Sequence, residues 1–169
     1  STNLRNVVFM GMGEPLANYS NLVKALGIIT DTDFGMKFSP RRVTVSTSGL
    51  VPKIGDLGRE TSVNLAVSLN ALDDEKRTLL MPINKRYPLK DLIQACKDFK
   101  MKPRNKITFE YILIRGVNDS DKDARNLVKL LTPVRAKVNL IPFNEHHGCD
   151  FQRPAKGRVS AFLQILLDR

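Results

Sequence analysis

Cysteine, tryptophan and long apolar runs are what this sequence has least of. There is no tryptophan, and the only cysteines are Cys96 and Cys149. They stand in no C-x₂-C or similar spacing, so alone they make neither a zinc site nor a cluster site. Two distant cysteines also make no disulfide framework and suit a reducing compartment. No apolar run approaches the roughly 18 residues of a membrane-crossing helix. The opening Ser1-Thr2-Asn3-Leu4-Arg5-Asn6 lacks the basic and apolar segments of a secretory signal. A cytoplasmic protein with no membrane partner is expected. Histidine is scarce, and His146 and His147 are adjacent; in an extended stretch such neighbours point apart and rarely share a metal. There is no G-x-G-x-x-G, no Walker-type loop and no serine–histidine–acid triad, which removes the simplest dinucleotide, nucleotide and hydrolase readings. Acid is short relative to base. Seventeen Asp and Glu against 27 Lys and Arg leave a formal charge of +10, which favours anionic partners, nucleic acid first. A basic protein that is merely soluble is the plain alternative.

What is present is an alternation. The 169 residues, 42% of them hydrophobic, suffice for one domain with a core. Short apolar runs read as strands at Asn6 to Met10, Arg42 to Val45, Val63 to Leu69, Lys106 to Ile114 and Lys137 to Phe143. Runs of this kind suit strands of a parallel sheet buried on both faces. Between them, residues recur with helical period: Leu22, Ala25, Leu26 and Ile29; Leu89, Leu92, Ile93 and Cys96; Ala124, Leu127, Val128 and Leu131; Val159, Phe162, Leu163, Leu166 and Leu167. Cys96 thereby falls on a core face. Ser120 with Asp123 has the spacing of a helix cap, a helix with Pro52 in its first turn follows Val51, and another covers Asp74 to Leu80. Both ends read as cut from a longer chain: the first strand begins almost at once, and residue 169 falls inside a helical pattern.

Repeated strand–helix–strand units give right-handed parallel βαβ crossovers. An open doubly wound sheet and a partial β/α barrel both satisfy them. Five units are too few for the usual eight-fold barrel of about 250 residues. In either case ligands bind at the carboxyl ends of the strands, so the residues leaving each strand matter most. After the first come Gly11-Met12-Gly13-Glu14-Pro15, where the glycines admit a ligand to the backbone and a stiffened loop holds a carboxylate that can pair with an ammonium. After the second come Ser46-Thr47-Ser48-Gly49, three hydroxyls that can meet a ribose or carboxylate; alternatively Thr47 or Ser48 caps the next helix. Ser68-Leu69-Asn70-Ala71 follow the third strand and Asn144 the last. Each is ordinary alone; four polar strand ends converging on one rim carry more weight. Among the basic residues, Arg41, Arg42 and the run from Lys100 to Lys106 precede strands and belong to the opposite rim. Lys85, Arg86, Arg115, Arg153, Lys156 and Arg158 follow strands and can flank the mouth, where RNA phosphates would be met.

Five segments resemble, in order, those of the RlmN/Cfr radical-SAM methyltransferases: Val7 to Leu16, Arg41 to Gly49, Met81 to Tyr87, Gly116 to Asp119, and Val138 to Asn144. The resemblance implies a partial (β/α)₆ barrel, about five βα units of it present, that binds S-adenosylmethionine (SAM) and a [4Fe–4S] cluster. It implies methylation of carbon 2 of adenine in 23S rRNA and certain tRNAs, by a monomer supplied with electrons by a donor. One SAM would methylate an enzyme cysteine and a second would yield the radical that activates that methyl group. Carried over by position, Gly13 and Glu14 meet the methionine end of SAM, Ser46 contacts it through its hydroxyl, Ser68, Leu69 and Asn70 line its ribose or carboxylate side, and Asn144 lies near the adenine. The cluster motif C-x₃-C-x₂-C is absent, and the resemblance puts its cysteines before residue 1 and the methyl-carrying cysteine beyond residue 169. Two positions depart from the usual pattern: Asn70 replaces a histidine, and Glu145-His146-His147-Gly148 replaces Pro-x-Pro-Gly. The 169 residues alone are therefore expected to bind SAM weakly and not to cleave it. Two rivals share the features: another radical-SAM enzyme such as a glycyl-radical activase, and a non-catalytic basic RNA-binding module on a decayed barrel.

Overall fold

The apolar runs become five parallel strands in a computed structural model that describes residues 4–168. The readings placed on Ser1 to Asn3 and on Arg169 lie outside the described residues. The strands are β1 (Val7–Phe9), β2 (Val43–Thr47), β3 (Asn64–Ser68), β4 (Ile107–Leu113) and β5 (Ala136–Pro142). The helices are α1 (Tyr19–Thr30), α2 (Val51–Glu60), α3 (Asp74–Leu80), α4 (Leu89–Asp98), α5 (Asp121–Leu131) and α6 (Lys156–Leu167). Three single turns of 3₁₀ helix, each begun by a proline, sit at Pro15–Asn18, Pro40–Arg42 and Pro82–Lys85. Proline fixes the backbone angle such a turn needs and lacks an N–H the turn would leave unpaired.

The sheet order is β1-β2-β3-β4-β5, all neighbours parallel. A doubly wound sheet must reverse its order at a switch point; this one never does. Successive right-handed crossovers in one direction put every helix on the same face, the arrangement of a partial barrel, and the doubly wound alternative falls.

That one-sidedness also corrects the expectation of strands buried on both faces. Val43, Val45, Leu65, Val67, Phe109, Tyr111 and Leu113 point at the helices and are fully buried. With them pack Ile54, Leu57, Leu92, Cys96, Leu127 and Phe162. The other face is concave and uncovered: Val8 of β1 and Ile141 of β5 are exposed on it, and β5 alternates in and out along its whole length. Only a sheet with helices on both sides would bury both.

Local rules account for the helix ends. Ser120 and Asp123 form a reciprocal capping box at the start of α5, and Asp73 caps α3 by accepting from Lys76 N at 2.8 Å. Pro52 lies in the first turn of α2. The alternative role for Thr47 and Ser48 is not realised: α2 has no side-chain cap. Thr47 Oγ1 instead accepts from Gly49 N at 3.0 Å, closing a local turn, and Ser48 is committed elsewhere.

Candidate SAM site at the strand exits

The carboxyl ends of β1 to β4 are bound together by polar side chains. At the exit of β1, Gly13 takes a positive φ of 94°, a conformation open chiefly to glycine, and turns the chain so that Glu14 faces β2. Glu14 Oε1 accepts from Leu16 N at 3.0 Å. Its Oε2 accepts from Ser48 N at 2.7 Å and Ser48 Oγ at 2.6 Å. The carboxylate expected to wait for an ammonium is thus a strut between the first two exits.

The next exits meet on one residue that the sequence reading missed. Ser46 Oγ and Ser68 Oγ each donate to Glu110 Oε2 at 3.3 Å. Glu110 lies in β4, in register with Ser68 on one side and Asn139 on the other, and is buried. Ser46 reaches it because its own register partner is Ala66, whose methyl leaves room. The available signal was an acidic residue inside an otherwise apolar and aromatic strand, Ile107-Thr108-Phe109-Glu110-Tyr111-Ile112-Leu113.

Asn70 leaves β3 with a positive φ of 57°, which asparagine tolerates better than most residues. Its side chain Oδ1 accepts from Ile112 N at 2.9 Å, continuing the β3–β4 ladder after the strand has ended. Asn118 locks the same corner: Nδ2 donates to Asn70 O and Ile112 O, both at 2.8 Å, and Oδ1 accepts from Ile114 N at 2.7 Å. Leu69, between Ser68 and Asn70, is fully buried on the helix side, so only its backbone borders the rim.

Beneath this rim sits Arg77 of α3, fully buried and also missed. Its guanidinium donates to Ser48 O at 2.8 Å, Ser68 O at 3.2 Å, Leu69 O at 3.3 Å and Asn84 Oδ1 at 3.0 Å. Burial pulls its pKa down to about 10. Gly49 explains how it gets there: a Cβ on that residue would stand 3.1 Å from Arg77 Nη2 and 3.3 Å from Leu92. In the sequence Arg77 sits in Asp74-Glu75-Lys76-Arg77, a stretch that reads as helix surface, so nothing marked it.

The flanks are open. Beside β1 a groove of about 480 Å³ is lined by Val8 to Pro15 and Asn18. Asn144 is exposed beyond β5, in the same direction as the other exits. Of the basic residues read as flanking the mouth, Lys85, Arg86, Arg115, Arg153 and Lys156 are exposed, while Arg158 of α6 pairs with Asp121 of α5. Arg41, Lys102 and Arg135 lie at the other edge, linked through Asn64, Asn105 and backbone carbonyls.

A sequence model described as the Radical SAM superfamily matches residues 2–128. The chain belongs to this superfamily. Among curated proteins it is 60% identical over 166 residues to a dual-specificity RNA methyltransferase RlmN of Desulfosudis oleivorans, covering 98% of this chain and 45% of that protein. It is also 60% identical over 166 residues to the protein of that name from Geotalea uraniireducens, covering 98% and 48%. The chain thus spans about half the length of the curated relatives it matches. A crystal structure of a radical SAM methyltransferase from Sphaerobacter thermophilus superposes with a TM-score of 0.91 at 46% identity, over 99% of this chain and 49% of that one. A domain of a pyruvate-formate lyase-activating enzyme from Bacteroides vulgatus superposes at 0.69 with 22% identity, over 96% of this chain and 93% of that one; that likeness shows the fold alone.

Membership in the superfamily implies SAM and a [4Fe–4S] cluster as cofactors. The concave rim suits the first. Hydroxyls, a carboxylate and backbone groups face an open trough with apolar margins, as an amino-acid nucleoside requires. The second finds no holder here: no three His, Cys, Asp or Glu among the described residues could bind a metal ion together. Cys96 is sealed in the core, where burial pushes its thiol up to about 12, and Cys149 stands alone in a loop. Among the described residues no helix is long and apolar enough to cross a membrane.

Proposed function

We propose that this chain is the SAM-binding part of an RlmN-type RNA methyltransferase, one domain of a longer protein that methylates carbon 2 of adenine in 23S rRNA and tRNA. The observation that carries the reading is the identity of 60% to proteins named for that activity, sustained over 166 residues. The site supports it. Gly13 and Glu14 lie where the methionine end would be, Ser46, Ser68, Leu69 and Asn70 along the middle, and Asn144 at the adenine end. Lys85, Arg86, Arg115, Arg153, Lys156 and Arg158 offer positive charge to RNA phosphates around the mouth. The remaining expectations belong to the same proposal: a cytoplasmic monomer, an external electron donor, and cluster cysteines supplied by chain outside these residues.

In this chemistry the cluster provides an electron and chelates the amino and carboxylate groups of SAM. This chain's residues hold the nucleoside and shape the trough. The test compares the full-length protein, cluster-loaded and reduced, with the 169-residue chain. The full-length protein should produce 5′-deoxyadenosine from SAM and C2-methyladenine in 23S rRNA. The chain alone should yield neither. Methylation-free SAM cleavage by the full-length protein, or activity only on non-RNA substrates, would overturn the RNA assignment.

A further inference from the structure

Glu110 is a buried carboxylate with no cation beside it. It is 7% exposed, and no Lys or Arg forms an ion pair with it among the described residues. Its known partners, Ser46 and Ser68, both use one oxygen, Oε2. The sealed side-chain polar atoms that lack a partner are Tyr19 Oη and Arg158 Nε among the described residues. Oε1 of Glu110 is not one of them, so it opens onto the concave face. Taking a carboxylate out of water is costly unless donors replace the water. Two hydroxyl donors at 3.3 Å are few and long for that purpose. A glutamine would serve a purely structural role at lower cost.

The serines gain a definite polarity from this arrangement. A hydroxyl has one proton; given to Glu110, it leaves each serine oxygen an acceptor toward the trough. Three acceptors therefore face any ligand from the middle of the sheet: Ser46 Oγ, Ser68 Oγ and Glu110 Oε1. They call for a group carrying at least two donors close together.

The strand order says which part of the ligand that is. The sheet runs β1 to β5 without reversal, so a long ligand laid across the exits meets them in sequence. With the methionine end at β1 and the adenine at β5, the ribose falls over β3 and β4. We propose that Glu110 is a cofactor-binding residue whose Oε1 accepts hydrogen bonds from the ribose hydroxyls of SAM, with Ser46 and Ser68 held as acceptors beside it. This rests on the reading of the rim as a SAM site and adds a residue to it. Paired ribose hydroxyls on a single carboxylate are a sound match, since charge-assisted hydrogen bonds are the stronger kind.

The test is binding, not turnover. In the full-length, cluster-loaded protein, calorimetry measures the Kd of S-adenosylhomocysteine and of its 2′-deoxy and 3′-deoxy analogues. The parent protein should bind the deoxy analogues about tenfold or more weakly, because a site built for a hydroxyl leaves a polar group unpaired without it. Glu110→Gln should weaken S-adenosylhomocysteine by about tenfold or more and lose most of the discrimination against one or both deoxy analogues. Two outcomes overturn the proposal: a parent protein indifferent to both ribose hydroxyls, a result that needs no variant to fold, or a Glu110→Gln protein with affinity and discrimination within twofold of the parent. If the parent binds neither S-adenosylhomocysteine nor SAM, the reading of the rim as a SAM site fails as well, which separates the two failures.

Discussion

The middle of the sheet and its two flanks are built on different terms. At the exits of β2, β3 and β4 every polar group has a partner within the chain: Arg77 collects four acceptors, Asn118 and Asn70 stitch two loops, and Glu110 gathers two serines. At the flanks, Val8, Met10 and Met12 beside β1 and Ile141 and Asn144 at β5 are exposed. The centre is pre-organised and rigid, so changing it must cost folding and binding together. The flanks contribute surface, so changing them should cost binding alone. Arg77 belongs to the first kind, although it touches no ligand position directly.

The comparison breaks most visibly at Arg77. Replacing it by methionine keeps apolar bulk but leaves three backbone carbonyls and an amide oxygen without their donor in the interior. The loss should be on the order of 3–5 kcal/mol, as when one member of a buried charged network is removed. Urea unfolding of the chain with the Arg77→Met substitution measures it; a loss under about 1 kcal/mol would mean that the central exits do not depend on this network.

A middle-sized effect comes from the core thiol. Cys96 keeps its proton until about pH 12 when folded, against about 8.5 when exposed. A raised thiol value means that the folded state holds a proton the unfolded chain releases. Its stabilising share is complete below about pH 8.5 and is lost as pH climbs toward 12, at up to about 1.4 kcal/mol per pH unit. Cys96→Ala should flatten the stability curve between pH 9 and about 11 while lowering it near neutrality. At pH 8, a thiol reagent should label Cys149, which is partly exposed, and spare Cys96 in the folded chain. Equal labelling would contradict the burial.

Legibility in the sequence follows the same division. All five strands and six helices were readable, because each carries its own period and its ends carry their own signals: Pro52 for α2, Ser120 with Asp123 for α5. The positions of Ser46, Ser68 and Asn144 were readable too, since a strand's end is a local fact. What the network does with them was not. Glu14 read as a free carboxylate, but its role as a strut depends on Ser48, 34 residues away. Ser46 and Glu110 are 64 residues apart, and no local pattern ties them. Arg77 was hidden by its neighbours: Asp74, Glu75 and Lys76 spell a solvated helix, and only α3's return onto the strand exits turns its fourth residue inward. Sheet order was undecided for a related reason. Strand–helix alternation fixes handedness, whereas the choice between a continued order and a reversed one lies in contacts between units.

The smallest expected effect is the sharpest test of the division. Asn144 is exposed and makes no side-chain hydrogen bond among the described residues. Asn144→Ala should therefore shift unfolding by less than about 0.5 kcal/mol, the range of surface changes that disturb no special feature. If the flank holds the adenine, the same substitution in the full-length protein should weaken S-adenosylhomocysteine by about fivefold to tenfold, the worth of one ordinary hydrogen bond. A ligand with purine in place of adenine should then bind the parent and the variant almost alike. A substitution that leaves both quantities unchanged would remove Asn144 from the site and leave β5 without an assigned contact. One that lowers stability by more than about 1 kcal/mol would show that the flank is part of the built network after all.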